Sequence, residues 1–203
     1  MSSQHYVSIT LPSGGFFFST HSLYLRYIIN HKLIKMKKII ITITFALFSV
    51  IGWSLPINAD NSFEELKKLE GKWVGTLERT DGTSDSLILE YTITSAGSAI
   101  LEESNTGGTE MLSIFNAHNK ELLITHYCGL QNKPVLPLKS FSKGVFQFKT
   151  DAKRSGLDKS KEAFVDSWSI ELMNEDKEMR YEYTVVGPKG VVFKATALMK
   201  RIG

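Results

Sequence analysis

No aspartate or glutamate occurs in the first 59 residues of this 203-residue chain, although five bases do: Arg26, Lys32, Lys35, Lys37 and Lys38. The 24 bases less these five leave 19 against all 21 acids beyond residue 59, a net of −2. No basic footprint is left there to attract nucleic acid or an anionic lipid surface. Cysteine is nearly absent, with Cys128 standing alone. An internal disulfide is thereby excluded, and so is lipid attachment at a cysteine following a leader. Helical stretches of βαβ length, internal repeats and low-complexity tracts are also missing, which argues against a parallel α/β architecture or a solenoid.

Met36-Lys37-Lys38 followed by the uncharged run Ile39–Trp53 and then Ser54-Leu55-Pro56-Ile57-Asn58-Ala59 has the form of a secretory leader. Its apolar stretch of 15 residues is shorter than the ~20 needed to span a bilayer as a helix. Cleavage is expected after Ala59, leaving no stable membrane span and placing the product in the periplasm or outside the cell. Residues 1–35 precede a complete leader and show no periodicity. They read as an over-extended start, with translation beginning at Met36. The chain thus divides into 1–35, a signal peptide at 36–59, and one domain over 60–203.

Within that domain, Ser62-Phe63-Glu64-Glu65 has the spacing of a capping box. Phe63, Leu66 and Leu69 then recur at helical intervals up to Gly71, predicting a short amphipathic helix that plugs one end of the fold. From Trp73 the period changes to two. Leu87, Leu89, Tyr91 and Ile93 alternate with Ile88, Glu90, Thr92 and Thr94, the mark of a half-buried strand. Similar runs cover about 73–79, 98–104, 109–116, 121–128, 144–150, 164–173, 178–186 and 190–200. Turn residues such as Asp81-Gly82, Gly107-Gly108 and Gly187-Pro188-Lys189-Gly190 separate them. This predicts an all-β antiparallel meander that closes into a barrel of eight to ten strands. Two segments interrupt it: Gly129–Leu138, where Pro134 and Pro137 argue against a central strand, and the polar stretch Asp151–Lys161, which reads as a mobile loop.

Leu69-Glu70-Gly71-Lys72-Trp73-Val74-Gly75 is a Gly-x-Trp opening after a short helix, and it resembles the start of lipocalin-like, calycin-type barrels. The resemblance implies that Trp73 closes one barrel end beneath a basic residue of the last strand, Lys200 or Arg201. Ser95-Ala96-Gly97-Ser98-Ala99, Glu110-Met111-Leu112, Leu123-Ile124-Thr125-His126-Tyr127-Cys128 and Asn132-Lys133-Pro134 together resemble a family of uncharacterised bacterial proteins, often exported, with a lipocalin-like β-barrel. The likeness spans nearly all of residues 63–200, and the Thr-His-Tyr-Cys strand is its most specific part. Members more often carry Gln at the position of Lys133, and some carry histidines near Phe164 and Asp166. A metal role resting on those histidines does not transfer to this chain.

His126 and Cys128 lie two apart on one strand, so they share a face with Leu122 and Ile124. That face is expected to line the interior. The pair has the residue types of a nucleophile and its base, but also those of a packed thiol beside a hydrogen-bonded core histidine. Glu110 shares parity with Leu112 and Ile114, and Asp166 with Phe164, Trp168 and Ile170. If those faces turn inward, both carboxylates are partly buried and must be paired, hydrogen-bonded or neutral. For Asp166 a strand-end position reaching water is the preferred reading. No catalytic motif is recognisable, no spacing specifies a metal site, and no cofactor is indicated.

The reading that follows is a binder of a small apolar or amphipathic molecule inside the barrel. Glu110, His126 and Tyr127 are its expected polar contacts, with Cys128 beside them. Trp168 and Tyr183 form the walls, and Asn132 sits on a rim over one mouth. Two alternatives stay open: an enzyme acting through His126 with Cys128 or Glu110, and a structural or interaction module with a filled interior. Oligomeric state cannot be read from these residues.

Overall fold

In the computed structural model of the chain, residues 31–33, 35 and 58–203 are described, and the expected start segment (1–35) and leader (36–59) otherwise lie outside them. Residues 31–33 and 35 are helical. Helix α1 (Ala59–Leu66) and one turn of 3-10 helix (Lys67–Leu69) precede ten strands. These are β1 (Gly71–Arg79), β2 (Ser84–Thr94), β3 (Ala99–Thr106), β4 (Thr109–His118), β5 (Glu121–Tyr127), β6 (Val135–Ser142), β7 (Val145–Lys149), β8 (Phe164–Met173), β9 (Glu178–Gly187) and β10 (Gly190–Ile202). Each strand pairs antiparallel with its sequence neighbours, and β1 pairs with β10, so the sheet is a closed barrel without a free edge. The expected closed antiparallel barrel is therefore present, at the upper end of the strand count.

The alternation on β2 follows the sequence: Leu87, Leu89 and Tyr91 are buried while Ile88, Glu90 and Thr92 face outward or sideways. Trp73 on β1 is fully buried and its indole N–H donates to the Leu69 carbonyl at 2.8 Å. The guanidinium of Arg201, not the ammonium of Lys200, covers its ring at 4.3 Å and also donates to the carbonyls of Lys68, Glu70 and Asp176. One residue thus ties the last strand to the helix–strand junction by cation–π attraction and three backbone acceptors. Gly75 allows β10 to lie close at this point: a Cβ there would sit 2.6 Å from Met199 Sδ and 2.8 Å from the Leu198 carbonyl.

Three local expectations are corrected. First, α1 starts at Ala59, with Asn58 as its cap accepting from Asn61 N–H at 3.2 Å. Ser62 is consequently a buried residue inside the helix, not the capping group. Phe63 and Leu66 are buried as the periodicity required, and α1 packs against β4 and β5. Second, residues 135–142 form a strand paired on both sides despite Pro137. The bond from His126 N–H to the Pro134 carbonyl fixes the alternation, which leaves Pro137 opposite Leu123 at a position that exchanges no hydrogen bond with β5. Its ladder with β7 begins only at Leu138, so the missing N–H breaks no bond. Third, the polar stretch after Asp151 contains a helical turn, α2 (Ala152–Ser155), capped by Asp151 and ended by Gly156 in the left-handed region at φ 71°. Ser155 Oγ then accepts from the Val135 N–H at 2.8 Å, fastening this segment to β6.

Candidate functional site

Four polar side chains form a row across the inner wall. In the register of the sheet, Tyr91 on β2 faces Glu102 on β3, Glu102 faces Ser113 on β4, and Ser113 faces His126 on β5. Directly opposed residues on neighbouring strands bring their side chains within contact range. Here each junction is a hydrogen bond. Tyr91 Oη donates to Glu102 Oε2 at 2.5 Å, Ser113 Oγ donates to Glu102 Oε1 at 2.9 Å, and Ser113 Oγ lies 2.9 Å from His126 Nδ1. Glu102 and Ser113 have no exposed surface at all, and His126 retains 4%.

Burial pushes the Glu102 carboxyl up to about 7, against the opposing pull of the bonds from Tyr91 and Ser113. Burial likewise drives the imidazole of His126 down to about 4, so the ring is uncharged near neutrality. The hydroxyl of Ser113 owns one proton, which makes the row directional. With Glu102 ionised, both carboxylate oxygens accept, Ser113 gives its proton to Glu102, and His126 Nδ1 must be the donor to Ser113 Oγ. His126 Nε2 is then a bare acceptor. With Glu102 protonated, every bond between it and the imidazole reverses: Glu102 donates to Ser113, Ser113 donates to Nδ1, and Nε2 carries the proton. Each arrangement satisfies every polar atom of the row except His126 Nε2, and in both the imidazole is neutral.

His126 also lines a cavity of about 330 Å³ that opens toward solvent. Its Nδ1 edge is taken by Ser113, and no described residue bonds to Nε2, which therefore faces this space. The walls are mostly aromatic and aliphatic: Trp168, Tyr181, Tyr183, Phe193, Val165 and Val185. The ring of Trp168 meets those of His126 and Tyr181 edge-on, both with centroids 5.2 Å away. Trp168 Nε1–H is buried with no acceptor, an omission that costs about 1–3 kcal/mol in a closed protein. Toward the opening, Arg79 lies under Phe193 at 5.5 Å and pairs with Asp85 at 2.7 Å. The phenol of Tyr183 is raised by burial, and Arg79 opposes that shift.

Of the residues singled out from the sequence, His126, Cys128, Trp168 and Tyr183 line this cavity together. Glu110 and Tyr127 do not. Glu110 is exposed and Tyr127 is 47% exposed, and both lie along an outer groove with Lys72, Glu90 and Glu103. On β4 it is Ser113 and Phe115 that turn inward, so the parity of Glu110 with Leu112 and Ile114 led to the wrong face. Tyr127 falls between two inward residues and so must point out. Asn132 is a fastening residue rather than part of the cavity rim: its Nδ2 donates to the Ala163 carbonyl at 2.8 Å, and its backbone carbonyl accepts from Cys128 N–H at 3.0 Å. Asp166 sits at the bulge of β8 and pairs with Lys149, reaching water as expected. Cys128 makes no hydrogen bond to His126, and burial raises its thiol, so it is not poised as a thiolate. Among the described residues no three His, Cys, Asp or Glu side chains converge as metal ligands.

Glu102 and Ser113 escaped the sequence reading. Glu102 stands next to Glu103, and nothing local says which of the two turns in. The parity of Ile100, Glu102, Ser104 and Thr106 is the one signal that selects it, and it requires knowing that Ile100 is core.

The fold and site define a closed ten-strand antiparallel β-barrel with a partly polar, open interior cavity. No family model matches the chain, and no curated protein matches it. Similar solved structures include a protein of unknown function from the DUF3598 family of Nostoc punctiforme, 12% identical with a TM-score of 0.49, covering 68% of this chain and 49% of that one. The present chain therefore spans about half the length of that protein. The EF1p2_mFAP2b protein bound to DFHBI is 8% identical with a TM-score of 0.37, covering 69% and 98%. The redesigned β-barrel mFAP1 bound to DFHBI is 10% identical with a TM-score of 0.34, covering 66% and 96%.

Proposed function

We propose that this protein binds a small, mainly apolar or amphipathic molecule in the cavity beside His126, in the manner of a lipocalin-like barrel whose other end is plugged by α1. One observation carries the reading: about 330 Å³ of the interior is left unfilled by side chains although the walls are aromatic and the polar groups converge there. That volume lies at the lower end of the range for small-molecule sites. An evolved core does not leave such a space empty without loss of packing energy. The free Nε2 of His126 supplies the polar position that orients a ligand. The leader features at 36–59 extend the proposal to an exported protein acting in the periplasm or outside the cell.

Two measurements test it. Native mass spectrometry of protein purified from its own host should show an added small mass, and a panel of apolar fluorophores should bind with micromolar affinity. Ser104→Phe, which fills the cavity from β3, should abolish both. Unchanged fluorophore binding by that variant overturns the assignment of the site. For export, the intact mass of the protein recovered from the periplasm should correspond to a chain beginning at Asp60.

A further inference from the structure

The row Tyr91–Glu102–Ser113–His126 does more than the cavity needs for orientation alone. A single buried neutral histidine needs no more than one acceptor for its N–H and one donor for its bare nitrogen. Here it is backed through a hydroxyl by a fully buried carboxyl, and that carboxyl holds a second hydroxyl on its far side. Every link is short enough for a proton to cross. Resting on the cavity-binding reading above, we propose that the occupant is a flat, mainly apolar molecule carrying a weakly acidic hydroxyl of the phenol class, which donates its O–H to His126 Nε2 and passes that proton through Ser113 to Glu102.

The transfer balances at each atom. The ligand O–H bond breaks as an N–H bond forms at Nε2. The Nδ1 proton moves to Ser113 Oγ while the Ser113 proton moves to Glu102 Oε1. One negative charge leaves Glu102 and appears on the ligand oxygen; the imidazole changes tautomer and stays neutral. No oxidant, metal or water molecule takes part. The charge is transferred from a fully buried carboxylate to an open cavity whose wall includes the Arg79 guanidinium, and charge is less costly where desolvation is incomplete.

The chemistry of the walls selects against other ligand heads. A carbonyl would set its lone pair against that of Nε2 while Glu102 is ionised. A cationic amine would have no proton-accepting carboxylate free at the wall, since Asp85 is already paired with Arg79. Groups able to compete for the proton are Tyr91 on β2, Tyr181 on β9, Cys128 beyond β5, and Arg79, Asp85 and Tyr183 around the opening. Tyr91, Tyr181 and Tyr183 are raised by burial, Cys128 likewise, and Arg79 is held by Asp85. None of them bonds to Ser113 or to the imidazole.

The test uses 2-naphthol, a phenol that becomes strongly acidic on excitation, beside its methyl ether 2-methoxynaphthalene, which has the same ring and no proton to give. On the alkaline side of about pH 7, where Glu102 is ionised, the wild-type protein is expected to bind the naphthol about tenfold more tightly than the ether. The fully bound naphthol is expected to emit as naphtholate. Below that pH the preference over the ether should vanish. Glu102→Gln and Ser113→Ala should each lose the naphtholate emission and the preference for naphthol, with near-ultraviolet circular dichroism checking that the aromatic cavity is intact. Glu110→Gln on the outer wall should change nothing. Should one relay variant fail to fold, the other and the wild-type pH series decide. Equal binding of the two probes with neutral emission overturns the relay while leaving the cavity as a binding site. Binding of neither probe by folded wild-type protein overturns both.

Discussion

The barrel interior has two parts built from the same strands and differing in what they contain. Beneath α1 and Trp73 the space is filled by Leu66, Leu69, Leu89, Ile100, Phe115, Ile124 and Met199, every one fully buried and packed in one apolar cluster. From His126 at the end of the Glu102 row onward, the strands hold Cys128, Trp168, Tyr181 and Tyr183 around open space. Alternation alone produces either outcome, since both parts obey the same period of two. What separates them is whether the inward residue brings enough volume and no polar atom. The first part acts as an anchor that pins the register, and the second is released from packing by that anchor.

The sharpest way to break this contrast is to remove a large side chain from each part. Trp73→Ala removes a fully buried indole, its bond to Leu69 and the seat of Arg201. It should cost about 3–5 kcal/mol, read as the shift of the urea midpoint. Phe193→Ala, at the rim of the cavity, should cost about 1 kcal/mol because solvent already reaches the site. Equal losses would mean that the cavity is as tightly integrated as the apolar part around Trp73.

The pH dependence of stability sharpens the contrast next, with two opposing effects. The Glu102 carboxyl rises from 4.5 to about 7 on folding. The folded state thus holds more protons than the unfolded one across that interval, and stability falls as pH rises through it. His126 falls from 6.5 to about 4. There the unfolded state binds the extra proton, and stability grows as pH rises through that interval. In the wild-type protein the two slopes largely cancel between about pH 4.5 and 6.5, leaving a small gain as pH rises from about 4 to 4.5 and a small loss on the approach to about pH 7. Glu102→Gln should uncover the rising slope and His126→Asn the falling one, each of a few kcal/mol over its interval, followed by urea midpoints across pH.

A smaller effect is expected at the middle of the row. Ser113→Ala leaves Glu102 Oε1 and His126 Nδ1 without their shared partner and should cost about 1–3 kcal/mol. It should also release the imidazole tautomer, which nitrogen chemical shifts of His126 report directly. The least effect belongs to the outer wall, where Glu110→Gln should stay within about 0.5 kcal/mol of wild type.

How far the residues alone could carry this reading varied with the kind of information each needed. The barrel was legible because Leu87, Leu89 and Tyr91 alternate cleanly and the turns are short. His126 was legible because Leu122 and Ile124 name its face. Glu110 was misplaced because β4 carries apolar side chains on both faces, so parity with Leu112 had no power to choose. The row itself was out of reach. It depends on how many residues each hairpin spends, and on which partner therefore stands opposite Glu102. Asp166 shows the same gap from another side: its strand parity was read correctly, and a bulge then moved it off that parity. Pro137 was overweighted because its effect depends on which side of the strand the absent donor would have served.

The proline-bearing strand β6 has a consequence for where the closed sheet is held least. Around the ring, β5 and β6 share the briefest seam, Leu123, Ile124 and Thr125 against Pro137, Leu136 and Val135, while β8 and β9 are joined along nearly their whole length. Just past this seam, Pro134 accepts from His126 and has no hydrogen to give back. A cylinder that closes on itself must breathe somewhere, and it will part first where the fewest stitches hold. Amide protons of β6 should accordingly exchange with solvent ahead of those on β8 and β9.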